Sequence, residues 1–150
     1  MRRKVLFLCT HNSARSQMAE GLLRDLAGDG FDVHSAGSLA TEVRPEAAAV
    51  MAEIGIDLSE HQSKTLDRYL HEPFDLVITV CDRARDACPI FPHSGELRHW
   101  SIADPAAVPG SPGSDVERLA AFRLARVDLE RRIREEIVDP ATGALDARLS

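Results

Sequence analysis

Cysteine is scarce in this chain, with three in 150 residues. So sparse a set is not the even, dense framework of a small secreted domain. At this length a single domain buries about 70% of the surface of its unfolded chain without disulfide or metal. A reducing cytoplasm is therefore the expected setting, where any disulfide would be transient and catalytic. Long apolar runs are also lacking. "MRRKVLFLCTHN" begins as a signal peptide would, but Val5–Cys9 gives way at once to His11 and Asn12. Nothing approaches the roughly 20 apolar residues of a membrane span, so a soluble protein with no membrane partner is expected. Positive charge is in deficit, the formal net charge being −6, which argues against nucleic acid as a partner. A small anion is not excluded, because one arginine and a helix N-terminus act locally. No Cys-x2-Cys or paired-His spacing occurs, so no metal site is expected. There is no internal repeat and no linker.

What remains is a regular alternation. Lys4–Leu8, Phe31–Ser35, Phe74–Val80 and Glu96–Ile102 read as strands, and "VLFL" and "LVITV" are the continuous apolar runs of strands covered on both faces. Met18, Leu22, Leu23 and Leu26 make one helical stripe that Gly28 can end. Pro45 suits the first position of a second helix, with Gly55 past its end. A short helix is expected over Lys64–Leu70. The last helix opens at Ser114 with Glu117 in a capping-box pattern and carries Leu119, Phe122, Leu129, Ile133 and Ile137 at helical spacing. Strands alternating with helices imply a four-stranded parallel sheet with helices on both faces. Residues 1–138 are expected to form a single α/β domain, and 139–150 a loosely held tail.

The turn between the first strand and its helix has no glycine, yet it sets Cys9 and Arg15 at its two ends. Ligands of open α/β sheets bind beyond the carboxyl ends of strands. If residues 10–15 curl so that their N–H groups converge, they make an anion cradle at the positive end of the helix. Arg15 can then clamp two oxygens of a tetrahedral oxyanion. A nucleophilic Cys9 must be a thiolate. A helix dipole supplies about 0.3–2 kcal/mol, whereas lowering a thiol pKa by two units takes about 2.7 kcal/mol. Loop N–H groups, Arg15 and the Ser16 hydroxyl would have to supply the difference, with Asn12 bracing the loop. Thr10, His11, Asn12, Ser13, Ala14, Arg15 and Ser16 are thus the candidate oxyanion-binding residues.

Cys81 ends the third strand on the same edge as Cys9, and Cys88 follows seven residues later. As a helix, 81–88 would hold the two about 10.5 Å apart along its axis. A disulfide needs Cα atoms within about 4.4–6.8 Å. Pairing would require unwinding, which suits a redox relay; two buried structural thiols are the alternative. In "HWSIADPA", Asp104 lies again on the carboxyl edge, placed either to protonate a leaving oxygen or simply to begin a turn before Pro105.

Together "VLFLCTHNSARSQMAEGLLR", "SAGSLATEVRPEAAAVMAEIGIDLSEHQSKTLD", "DLVITVCDRARDACP" and "HWSIADPA" resemble the thioredoxin-coupled arsenate reductases, which share the low-molecular-weight protein tyrosine phosphatase fold. The resemblance runs from about residue 3 to residue 138. It implies Cys9 as nucleophile, Asp104 as general acid, and Cys81 and Cys88 as the relay, with thioredoxin supplying electrons and no bound cofactor. Some relatives hold a potassium ion near side chains equivalent to Asn12, Glu20 and Ser35, beside an acidic residue where this chain has Lys64. An ammonium there would stand in for the ion.

The same cradle would serve a phosphatase. Phosphatases of this family typically follow the acidic residue and proline with an aromatic, however, and here Ala106 and Ala107 follow. Reduction through a small thiol or glutaredoxin would leave the Cys81/Cys88 pair without use. A binding module holding As(III) on three thiolates would have no use for Arg15 or Asp104.

Overall fold

The computed structural model describes residues 3–9, 12, 14–37, 42–69, 71–80, 95–103, 105 and 115–139. Thr10, His11, Ser13, Cys81, Cys88 and Asp104 lie outside these, as do Ala106, Ala107, the helix cap expected at Ser114, and 140–150 of the expected tail.

Four strands form one parallel sheet: β1 (Arg3–Cys9), β2 (Phe31–Gly37), β3 (Leu76–Thr79) and β4 (Glu96–His99), in the order β2-β1-β3-β4. Val5, Leu6, Phe7 and Leu8 of β1 are each no more than 2% exposed. Successive residues of a strand point to opposite faces, so both faces of β1 are covered. Trp100, just after β4, packs on Phe7 with ring centroids 6.0 Å apart.

α1 (Arg15–Ala27) buries Met18, Ala19, Leu22 and Leu23, and packs on β1 and β2. It ends where Gly28, at φ 56°, turns its N–H back to the Arg24 carbonyl. α2 (Pro45–Ala52) begins on its proline, and Gly55 follows its end. A side chain at Gly21 would meet Leu58, Met51 and Ile56 atoms at 3.1–3.3 Å. Glycine there lets α1 approach α2 and the segment after it closely. α3 (Asp115–Ile133) packs on α1 and α2 through Phe122, Ala125, Leu129 and Ile133, then widens into a π-helical turn over Arg134–Val138 that buries Ile137. Leu119 is only partly buried.

One expected element is different. Of the short helix expected over Lys64–Leu70, Leu66–Tyr69 form a 3-10 helix, Lys64 and Thr65 lie before it, and Leu70 is outside the described residues. The main chain before it is already engaged. The Lys64 carbonyl accepts from the Gly37 N–H at 2.9 Å, and Thr65 bridges to Gly37 as a short parallel extension of β2. Backbone groups committed to a sheet edge cannot also begin a helix.

From β1 the chain passes to β2 on one side and later to β3 on the other. The winding therefore reverses at the carboxyl end of β1, where open α/β sheets form their ligand crevice. Cys9 is the last residue of that strand, level with Gly37 of β2.

Candidate functional site

Cys9 is buried at 5% exposure, and α1 starts six residues later at Arg15. Ala14 is the N-cap and makes no side-chain cap bond, and its carbonyl accepts from Met18 N–H at 2.9 Å. The opening N–H groups of a helix have no intrahelical partner and carry its partial positive charge. Here that helix start follows the loop that Cys9 begins. Arg15 Nη1 donates to the Ile102 carbonyl at 2.8 Å, so the guanidinium is tied to the segment after β4, two residues before Asp104.

Between them Asn12 is completely buried and sits at φ 50°, the left-handed region that a non-glycine residue rarely adopts. Its amide is fully engaged. Nδ2 donates to Ser16 Oγ at 2.8 Å and to Ser35 Oγ at 2.9 Å. Oδ1 accepts from the Lys64 main-chain N–H at 2.8 Å and from Gln17 Nε2 at 2.9 Å. One side chain thus joins the loop to α1, to β2 and to the segment before the 3-10 turn. Four satisfied bonds offset the strain of the backbone.

Under the loop lies a charged layer. Glu20, 2% exposed, meets Arg24 Nη1 at 3.3 Å and His61 Nδ1 at 3.1 Å through Oε2. Lys64 Nζ stands 3.8 Å from Oε1, where it acts as a charge rather than a hydrogen-bond donor. Nζ donates instead to the Gln62 carbonyl at 3.0 Å. Burial pushes the Lys64 ammonium below its ordinary range, against the pull of Glu20. Burial likewise lowers His61, again opposed by Glu20.

The structure therefore brings Cys9, Asn12, Ala14, Arg15 and Ser16 to one end of the sheet. Gln17 and His61 went unread in the sequence. Neither carries a local signal: their contacts join segments 44 residues apart. Among the described residues no group of three or more His, Cys, Asp or Glu could hold a metal ion. Nor is any described helix long and apolar enough to cross a membrane.

A buried thiol before a loop, a helix start and an anchored guanidinium are groups that can hold a tetrahedral anion beside a thiol. The family model for low molecular weight phosphotyrosine protein phosphatase matches residues 4–135. An arsenate reductase of Halalkalibacterium halodurans is 47% identical over 135 residues, 89% of this chain and 95% of that one. A solved arsenate reductase in its phosphate-binding state superposes with a TM-score of 0.77 at 31% identity, covering 91% of this chain and 98% of the other. A thioredoxin-dependent arsenate reductase of Corynebacterium glutamicum gives 0.64 at 31% identity, covering 89% of this chain and 59% of its own. The chain belongs to the low molecular weight phosphotyrosine protein phosphatase family, on the branch occupied by arsenate reductases.

Proposed function

We propose that this protein reduces arsenate to arsenite, with Cys9 as nucleophile and thioredoxin as the final reductant. The observation that carries the reading is buried Cys9 at the carboxyl end of β1, six residues before Arg15 opens α1, in a chain 47% identical to an arsenate reductase.

Arsenate enters the loop as an oxyanion, held by loop N–H groups and the Arg15 fork. The Cys9 thiolate attacks arsenic and an S–As bond forms. One oxygen leaves as water, with Asp104 giving it a proton. The Cys81 thiolate then attacks Cys9 Sγ. The S–As pair of electrons passes to arsenic, which leaves as As(III), and a Cys9–Cys81 disulfide remains. Cys88 attacks Cys81 and releases the Cys9 thiolate. The Cys81–Cys88 disulfide is then reduced by the dithiol of thioredoxin. Ser16 Oγ accepts from Asn12, which leaves its own proton to donate, in this reading to the Cys9 thiolate. Val80, the residue before Cys81, donates its N–H to the Leu8 carbonyl at 2.8 Å, which supports bringing Cys81 to the edge that carries Cys9.

No bound cation is required. Glu20 already faces the Arg24 guanidinium and the Lys64 side chain, with His61 beside them. Asn12 turns its NH2, not its oxygen, toward Ser16 and Ser35. An alkali ion would add charge beside a carboxylate that already faces two basic side chains, and at Asn12 it would meet an NH2 rather than an oxygen.

The test is arsenite formation with thioredoxin, thioredoxin reductase and NADPH, compared with glutathione or mycothiol systems and with phosphotyrosine hydrolysis. Arsenite formation only in the thioredoxin arm is expected, with at most slow phosphoester hydrolysis. Efficient phosphatase turnover without arsenite would replace this reading with the phosphatase one.

A further inference from the structure

Gln17 lies in the first turn of α1, completely buried. Its amide orientation follows from its neighbours. The Lys64 main-chain N–H can only donate, so the Asn12 atom 2.8 Å from it is the carbonyl oxygen. The Gln17 atom 2.9 Å from that same oxygen must then be the NH2 group. The same nitrogen is 3.2 Å from the Asn12 main-chain carbonyl and 2.9 Å from the Gln62 carbonyl. Three acceptors converge on one NH2. Gln17 Oε1 is left facing His61 Nδ1 at 3.0 Å, and that nitrogen also meets Glu20 Oε2 at 3.1 Å. Two acceptors on one ring nitrogen put the histidine proton on Nδ1.

We infer that Gln17 is a positioning residue of the oxyanion loop, clamping both the main chain and the side chain of Asn12 in its left-handed conformation. A left-handed non-glycine residue persists only where its surroundings over-determine it. Asn12 lies in the loop between Cys9 and α1. Gln17 grips it from the helix side while tying it to Gln62, so the 61–64 segment and the loop hold one shape. The inference rests on reading the loop as an oxyanion cradle; it does not depend on which reaction follows.

The test reads the loop directly, without arsenate. In Gln17→Met the pH dependence of Cys9 alkylation by iodoacetamide is followed by peptide mapping, with inorganic phosphate as protecting anion. The phosphate concentration giving half protection should rise about tenfold, the size of one lost buried hydrogen bond in the support of the loop. The alkylation profile should move to higher pH. Gln17→Glu supplies the second variant. Its carboxylate would face three oxygens at pH 8, whereas the protonated acid near pH 5 can donate to one of them. Protection should therefore be poor at pH 8 and partly restored near pH 5. Wild-type protection and alkylation profiles in a folded Gln17→Met, or a Gln17→Glu defect that does not change with pH, would overturn the assignment. Because neither readout involves arsenic, a protein that makes no arsenite can still pass this test, and an active reductase can fail it.

Discussion

Arg15 and Ile102 stand 87 positions apart in sequence, yet the arginine donates Nη1 to the Ile102 carbonyl at 2.8 Å. The bond fixes a planar, five-donor group at the start of α1 against the segment that leads to Asp104. A guanidinium aimed in advance can receive an oxyanion without first ordering itself.

Arg15→Lys keeps the charge and loses the fork. Arsenate turnover should fall by about 10²–10³-fold, as on removal of a preorganised oxyanion donor, while circular dichroism and melting stay close to the parent. Turnover near that of the parent would remove Arg15 from the mechanism.

Asn12 combines an unusual backbone angle with four side-chain bonds. Asn12→Ala strands the buried partners and keeps the strain, for a loss of about 2–4 kcal/mol. Asn12→Gly loses the same bonds but relieves the backbone, so it should be the more stable of the two in urea titrations. Equal stabilities would mean that φ 50° carries no strain worth counting.

The strands were legible because "VLFL" and "LVITV" can only be buried on both faces. The loop was legible because a strand and a helix flank it with Cys9 and Arg15 at its ends. The short helix expected over 64–70 starts later, at Leu66, for a tertiary reason. Lys64 gives its carbonyl to Gly37 and its N–H to Asn12, partners 27 and 52 positions away. Local spacing is equally blind to the Gln17 clamp, since nothing beside a glutamine in the sequence announces that it faces Gln62. Leu119 illustrates a milder limit, a stripe position that the helix leaves only partly covered.

Potassium should do nothing for this protein. Melting temperature and activity in potassium, sodium and choline chloride at equal ionic strength are expected to agree. Lys64→Asp, which removes the ammonium and adds a carboxylate beside Glu20, should acquire a response to potassium through preferential binding to the folded state. A gain of several degrees by the parent protein in potassium would show that Lys64 does not replace the ion.

His61 sets a pH dependence whose sign follows from its surroundings. Burial holds it below its ordinary 6.5, Glu20 pulls it back up, and Arg24 and Lys64 add to the lowering. The unfolded chain therefore takes a proton that the folded one refuses. Stability should decline as pH falls from 6.5 toward the lower folded value, then level off below it. His61→Gln, which keeps an N–H directed at Gln17, should lose that component. Identical pH slopes in urea midpoints for parent and variant would contradict it.

The order of attack among Cys9, Cys81 and Cys88 is the central claim, and rapid-quench counting of arsenite per enzyme in Cys88→Ser tests it most directly. In the proposed order Cys88 enters only after arsenite has left. The variant should therefore release about one arsenite per enzyme, the stoichiometry of a single thiol–disulfide exchange, and stop as a Cys9–Cys81 disulfide visible by peptide mass mapping. Cys81→Ser in the same experiment should release little or none. Sustained thioredoxin-coupled turnover by Cys88→Ser, or a full first turnover by Cys81→Ser, would contradict the relay.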